Sequence, residues 1–186
     1  LKRGFDVIAS TLGLLLTWWL ILLAYVAASI DTGKSGFFTQ ERIGQDGKRF
    51  EVIKIRTMRN IPAMDTSVTT GEDPRITAVG HFFRKAKIDE LPQLINVFLG
   101  QMSFVGPRPD VPGFADELSG EDRIILSIRP GITGPATLAF RDEEALLAGQ
   151  PDPERYNREV IYPEKVRLNK EYIENYTFWK DLKYIY

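Results

Sequence analysis

The chain has 186 residues, 44% hydrophobic and 26% charged, enough for one compact core and short of two. With 24 Lys and Arg against 25 Asp and Glu the net charge is -1, which excludes the strongly basic surface expected where nucleic acid is the main partner. The absence of cysteine rules out disulfides, thiolate nucleophiles and thiolate metal sites and suits a reducing compartment, and His81 alone cannot build a two-histidine zinc site. Any metal here is held by oxygen, which puts magnesium or calcium first.

Residues 7–30 are 24 positions without a charge, set between Lys2, Arg3 and Asp6 on one side and Asp31 and Lys34 on the other. As a helix rising about 1.5 Å per residue they reach about 36 Å, more than the ~30 Å hydrocarbon core of a bilayer. The run predicts a membrane segment. It is too long for a cleaved leader, and a domain of this size rarely encloses such a helix on all sides. Charge is divided along the chain: residues 1–111 carry 14 basic and 11 acidic groups, and 112–186 carry 10 and 14. The basic excess therefore lies near the membrane segment, where it meets lipid headgroups or phosphates or forms an ordinary solvated face.

Residues 31–36 form a turn-rich connector. Gly33-Lys34-Ser35 looks like the end of a phosphate loop, but Ala28 stands where its leading glycine is needed, so that motif is excluded. Residues 37–39 and 49–55 predict short strands about the turn Gln45-Asp46-Gly47-Lys48, a hairpin. Residues 59–75, with Pro62, Gly71 and Pro74, read as a loop. Residues 77–87 predict a helix that sets Phe82, Phe83 and Ala86 near Arg84, Lys85 and Lys87, a pattern suited to a membrane surface or to a plain surface helix. The next helix, 90–99, takes Asp89 as its N-cap, tolerates Pro92 in its first turn and closes at Gly100. Residues 153–174 read as helical with an interruption near Pro163. A tail with Tyr176, Phe178, Trp179, Tyr184 and Tyr186 beside Lys180 and Lys183 then reads as an interfacial belt or as packing.

Asp89 and Glu90 are adjacent carboxylates at an expected helix start, where free N–H groups favour an ionised, nucleophilic carboxylate and also a bound phosphate. With Mg2+, which takes carboxylate and phosphate oxygens together, they suit phosphoryl transfer; as purely structural groups they cap the helix and complement its dipole. Arg108, between Pro107 and Pro109, and Arg129, before Pro130, sit in stiff loops of the kind that aim a guanidinium fork at phosphate, or else pair with carboxylates at the surface. Lys54 and Arg56 alternate with Ile53 and Ile55 and share one face of a strand.

The segments Asp89-Glu90-Leu91-Pro92-Gln93, Ser103-Phe104-Val105-Gly106-Pro107-Arg108-Pro109 and Arg129-Pro130-Gly131-Ile132-Thr133-Gly134 resemble, in order, the signature of the bacterial sugar transferases, the monotopic polyprenyl-phosphate phosphoglycosyl transferases. Thr39-Gln40-Glu41-Arg42-Ile43-Gly44 and Lys54-Ile55-Arg56-Thr57-Met58 match it too, and the likeness runs through nearly the whole chain. The resemblance implies transfer of a sugar 1-phosphate from a nucleotide sugar, usually a UDP-sugar, to polyprenyl phosphate, with UMP leaving. It implies Asp89 as the nucleophile that holds the phosphosugar covalently, Glu90 as its assistant, and Mg2+ at this dyad to neutralise the diphosphate. Lys54, Arg56, Arg84, Arg108, Arg129 and Arg141 carry over as phosphate or nucleotide contacts.

The fold expected is α/β, mostly helical with a small β-hairpin: a membrane-embedded N-terminal part over 1–36 and a cytosolic catalytic domain over 37–186 lying on the bacterial inner membrane. The family's membrane helix is re-entrant and broken at a Ser-Pro pair. Here Thr17-Trp18-Trp19 stands at that place, so the bend falls to Gly13, Thr17 or packing. Membrane lipids are thus expected partners and nucleic acid is not. A non-catalytic scaffold and a magnesium-dependent phosphohydrolase are the competing readings, the scaffold disfavoured by the presence of both carboxylates.

Overall fold

The apolar run folds as α1, Lys2–Thr32, one helix of 31 residues that closes at Gly33 in the left-handed conformation, φ 69°. It belongs to a computed structural model that describes residues 1–60 and 73–185. Among these residues α1 alone is long and apolar enough to cross a bilayer. One stripe of it, Asp6, Ser10, Ile21, Ala24 and Ala28, is buried, and Gly13 faces Leu94. The opposite stripe, including Leu15, Leu16, Trp18, Trp19, Leu22 and Leu23, is exposed. A helix apolar all round is therefore divided lengthwise between protein and surroundings.

Both ends of α1 are tied to the same body. Arg3 donates to the carbonyls of Val97 and Phe98 at 2.6 and 2.8 Å, and Asp6 accepts from Ser103 Oγ and Phe104 N, each at 3.1 Å. At the far end Arg59 donates to the Asp31 carbonyl at 2.9 Å. The turn expected at Gly13 or Thr17 does not break the helix: Thr17 Oγ1 donates to the Gly13 carbonyl at 2.7 Å inside it. Docking along the domain, rather than a kink, brings the two ends to one body.

The hairpin forms as expected between β1, Phe37–Ile43, and β2, Arg49–Ile55, antiparallel with Phe37 opposite Ile55. A tight turn at Gln45–Gly47 joins them, with Asp46 and Gly47 at positive φ. β1 runs four residues further than its apolar start suggests, because an antiparallel pair with one solvated face accepts Gln40, Glu41 and Arg42. Most of the loop expected over 59–75 lies outside the described residues. Beyond it, α2, Ala78–Lys85, is capped by Thr77, whose Oγ1 accepts from Gly80 N at 2.8 Å. Phe83 of α2 packs with Ile21, Ala24, Ala28 and Ile55 into a core shared by α1, α2 and the hairpin.

The segment that carries the two carboxylates departs from expectation at its start. Lys87 adopts the left-handed conformation, φ 57°, and the chain then winds through a 3-10 turn at Ile88–Glu90 into α3, Gln93–Leu99, which closes at Gly100. Asp89 does not cap α3. The winding starts before it, through bonds from Leu91 N to Ile88 O and from Leu94 N to Leu91 O, so its carboxylate is free of backbone duty. Asn96, fully buried, fastens α3 to β2 by accepting from Ile53 N and donating to the Glu51 carbonyl.

β3, Ser103–Val105, pairs in parallel with β4, Gly131–Thr133. Their glycines explain the proline and glycine motifs. A Cβ on Gly131 would run into the Gly106 backbone nitrogen, and one on Gly106 would sit 2.5 Å from the Arg129 carbonyl oxygen. Only bare backbone allows this approach, and it fixes the loop that bears Arg108.

The last third is helical: α4, Pro135–Ala139; α5, Glu143–Ala148; α6, Pro153–Tyr156; and α7, Tyr162–Glu174. The interruption expected near Pro163 is a π-helical turn, Asn157–Ile161, whose wider bonding accommodates the missing proline N–H without ending the helix. α8, Phe178–Ile185, returns to the start of the chain, where buried Asp181 accepts from Lys2 Nζ and from the Tyr172 hydroxyl, each at 2.5 Å. Phe178 packs edge-on against Phe5, while Trp179 is 74% exposed. The aromatic tail is thus divided between packing and an outward face.

Candidate active site

Asp89 and Glu90 occupy one turn but meet different surroundings. Glu90 Oε1 accepts from Arg108 Nη2 at 2.6 Å and from Lys54 Nζ at 3.2 Å. β2 delivers Lys54, the loop after β3 delivers Arg108, and the Asn96 clamp sets the distance between β2 and the carboxylates. Burial alone would raise the Glu90 pKa, but Arg108 and Lys54 overcome it and hold the carboxyl well below its ordinary range. Asp89 is 8% exposed, and its Oδ1 is buried without a hydrogen-bond partner. Burial, reinforced by the charge of Glu90, pushes its pKa up, against the opposing pull of Lys54, Arg84 and Lys87.

Arg42 of β1 also belongs to this basic cluster. It donates to the Pro109 carbonyl at 3.1 Å and to Gln40 Oε1 at 2.6 Å, while Ile43 N bonds the Asp110 carbonyl, so the β1 edge braces the Arg108 loop. Burial and the neighbouring Arg108 lower its pKa to about 10. Asp110, beside Lys165 and Arg42, is pushed up by burial to about 6. Arg42 lies within the Thr39–Gly44 motif, but the run of polar residues 40–42 in β1 carries no local pattern that singles it out.

The six cations expected to meet phosphate are not gathered in one place. Lys54 and Arg108 grip Glu90, and Arg84 lies near enough to Asp89 to oppose the rise in its pKa. Arg84 is itself paired with Glu144 of α5 at 2.5 Å. Arg56, expected on the strand with Lys54, lies one residue beyond β2; it donates to the carbonyls of Ser35 and Phe37 and stacks over Phe38, tying the connector to the hairpin. Arg129 donates to the Gly100 carbonyl at 2.7 Å, joining β4 to the end of α3. Arg141 is 80% exposed at its side chain and pairs only with Asp142 among the contacts described.

No three His, Asp or Glu side chains converge into a metal site among the described residues. The dyad nevertheless fits a magnesium ion that takes most of its ligands from phosphate and water, since Asp89 Oδ1 is an open, buried anionic oxygen. Glu90 Oε1, already held by two cations, is the poorer ligand. Chemically, the arrangement offers a desolvated carboxylate beside two fixed cations, Lys54 and Arg108, which suits attack on an anionic phosphorus centre.

Comparison with known proteins identifies the family. The sequence pattern of the bacterial sugar transferases matches residues 1–186. The chain is 35% identical over 192 residues to the UDP-glucose:undecaprenyl-phosphate glucose-1-phosphate transferase of Escherichia coli K12, covering 100% of this chain and 39% of that protein. It is 35% identical over 188 residues to the transferase of the same name from Caulobacter vibrioides, covering 99% of this chain and 66% of that one. It is 32% identical over 201 residues to the exopolysaccharide production protein ExoY of Rhizobium meliloti, covering 100% and 82%. The chain thus spans about two fifths of some of its curated relatives and about four fifths of others. A dyad held by Lys54 and Arg108, the glycine-packed loops and a profile that matches from end to end place the chain in the bacterial sugar transferase family.

Proposed function

We propose that this protein transfers a sugar 1-phosphate from a UDP-sugar to polyprenyl phosphate, giving a polyprenyl-diphosphate sugar and UMP, at the cytoplasmic face of the bacterial inner membrane. The observation that carries the reading is the buried, unpartnered oxygen of Asp89 beside a Glu90 clamped by Lys54 and Arg108. The names of the relatives, which act from UDP-glucose on undecaprenyl phosphate, supply the substrate class.

In this reaction Asp89 attacks the phosphorus that bears the sugar. The bond from that phosphorus to the bridging oxygen breaks, and UMP leaves with the electron pair. An oxygen of the lipid phosphate then attacks the same phosphorus, the bond to Asp89 breaks, and the free carboxylate returns. Burial strips water from the Asp89 carboxylate and so strengthens it as a nucleophile. Glu90 keeps Lys54 and Arg108 at fixed positions, where their positive charge faces the diphosphate. Asp89 Oδ1 would hold a magnesium ion, which would supply neutralisation of the diphosphate charge.

The exposed face of α1 seats the domain on the bilayer, where the lipid phosphate lies. Incubating the protein with Mg2+, UDP-glucose or UDP-galactose and undecaprenyl phosphate tests the reading. Lipid-dependent release of UMP with a lipid-diphosphate sugar is expected. UMP release indifferent to the lipid would make it a hydrolase, and no release with either donor would favour the scaffold.

A further inference from the structure

Gln93 has no part in the chemistry described so far. It opens α3, one helical turn beyond Asp89 on the same continuous winding. Its side chain is 2% exposed, and its amide nitrogen Nε2 is buried with no acceptor. The segment therefore carries two orphans of opposite kind, a carboxylate oxygen without a donor and, four residues on, an amide N–H without an acceptor. Buried polar groups are normally satisfied, and a native fold that leaves two open four residues apart on one winding needs a reason. The remaining α3 amide supplies the contrast: Asn96, just as buried, uses its side chain fully on Glu51, Ile53 and Gln101.

The open Gln93 N–H suits the group that the transfer reaction brings to Asp89. A phosphoryl group joined to Asp89 presents non-bridging oxygens that need donors, and the strong cations closest to the dyad, Lys54 and Arg108, are already bonded to Glu90. We propose that Gln93 is a further catalytic residue whose side-chain N–H donates to a non-bridging oxygen of the phosphoryl group as it passes to Asp89. A neutral donor at this place stabilises charge that develops on the phosphoryl oxygens without lowering the nucleophilicity of Asp89, as a second cation beside it would. The inference rests on the transfer reaction proposed above.

The test uses the full-length protein in detergent with UDP-glucose and UDP-galactose as donors and no lipid. The rate of the phosphosugar adduct on the protein is followed by quenched intact mass, for wild type, Gln93→Met, which keeps the shape without the N–H, and Gln93→Glu. Adduct formation is expected to slow by about 100-fold in both variants, the usual cost of losing one such donor. Donor KM is expected to change by less than about three-fold, because the contact strengthens only in the transition state.

A donor with sulfur in place of a non-bridging oxygen on the sugar-bearing phosphorus adds a readout that a structural role would not move. Its slowing of the wild type should shrink in Gln93→Met, since the contact is already gone. Wild-type adduct with an unchanged rate in Gln93→Met, or an undiminished sulfur effect in that variant, overturns the assignment of Gln93 and leaves the transferase reading standing. No adduct on wild type with either donor overturns both. Should Gln93→Met fail to fold, Gln93→Asn, which keeps the amide and shortens its reach, takes its place under the same two criteria.

Discussion

Asp89 and Glu90 are neighbours in the chain with opposite electrostatic fates, and each predicts its own mutant. Burial raises the pKa of Asp89, so its ionised form costs folding energy at neutral pH. Asp89→Asn is therefore expected to abolish transfer while denaturing no earlier than wild type, checked by thermal unfolding beside a UMP assay. Glu90 behaves in the reverse sense. Its folded pKa lies below the ordinary 4.5, so its stabilising contribution is complete above that pH and is lost as the pH falls below it. Glu90→Gln leaves Lys54 and Arg108 facing each other unneutralised and should cost about 3 kcal/mol at pH 7. The difference from wild type should narrow below about pH 4, as read from denaturant midpoints across that range.

The dyad itself was legible because two adjacent carboxylates followed by a proline and preceding an apolar run are visible in one dimension. The partner of each cation was not. Arg56 and Arg129 turn to backbone carbonyls at Ser35, Phe37 and Gly100, contacts fixed by how distant loops meet.

Among the elements, those with strong local signals appear where the sequence places them: the hairpin, the helix α2 within 77–87, and the closure of α3 at Gly100. The start of α3 does not, since a left-handed Lys87 and a 3-10 turn carry no residue pattern that separates them from a capped helix. The parallel pairing of β3 with β4 was also hidden, because three-residue strands have too little periodicity to read. Their packing makes Gly131→Ala informative. The added methyl meets the Gly106 backbone, which cannot swing aside as a side chain does, so a loss of about 3 kcal/mol is expected, with reduced activity as Arg108 shifts. Unfolding midpoints and donor KM measured on the same preparation check both effects. α5 yields a milder prediction. Glu144, about half exposed, pairs with Arg84 next to Asp89. Glu144→Gln should leave stability within about 1 kcal/mol of wild type, since a largely solvated pair contributes little. It should also lower the KM for UDP-glucose by freeing a cation for the donor phosphates.

For the whole molecule, α1 decides how the protein meets the membrane. Its composition alone describes a crossing helix, yet its buried stripe and the contacts of Arg3, Asp6 and Asp31 hold both ends against one body. The inward stripe holds the polar and small residues Asp6, Ser10, Ala24 and Ala28 and the outward one bulky Leu and Trp, a contrast masked in sequence by the unbroken uncharged run over 7–30. Both ends are therefore expected on the same side of the bilayer. Since the chain has no cysteine, Gly4→Cys and Lys34→Cys introduce single reporters at exposed positions. A membrane-impermeant maleimide should label both only after the inner membrane is opened; labelling of one from outside intact cells would mean a crossing helix. On the proposed reading the Asp89 site lies at the bilayer surface, where a soluble donor and a lipid phosphate would use it in turn. That covalent relay through Asp89 is tested most directly by intact-protein mass spectrometry after incubation with Mg2+ and UDP-glucose or UDP-galactose, comparing wild type with Asp89→Asn. A sugar-phosphate adduct on the wild type alone, discharged when undecaprenyl phosphate is added, is the result expected. UMP and lipid product formed with no adduct, or an adduct that persists in Asp89→Asn, would contradict it.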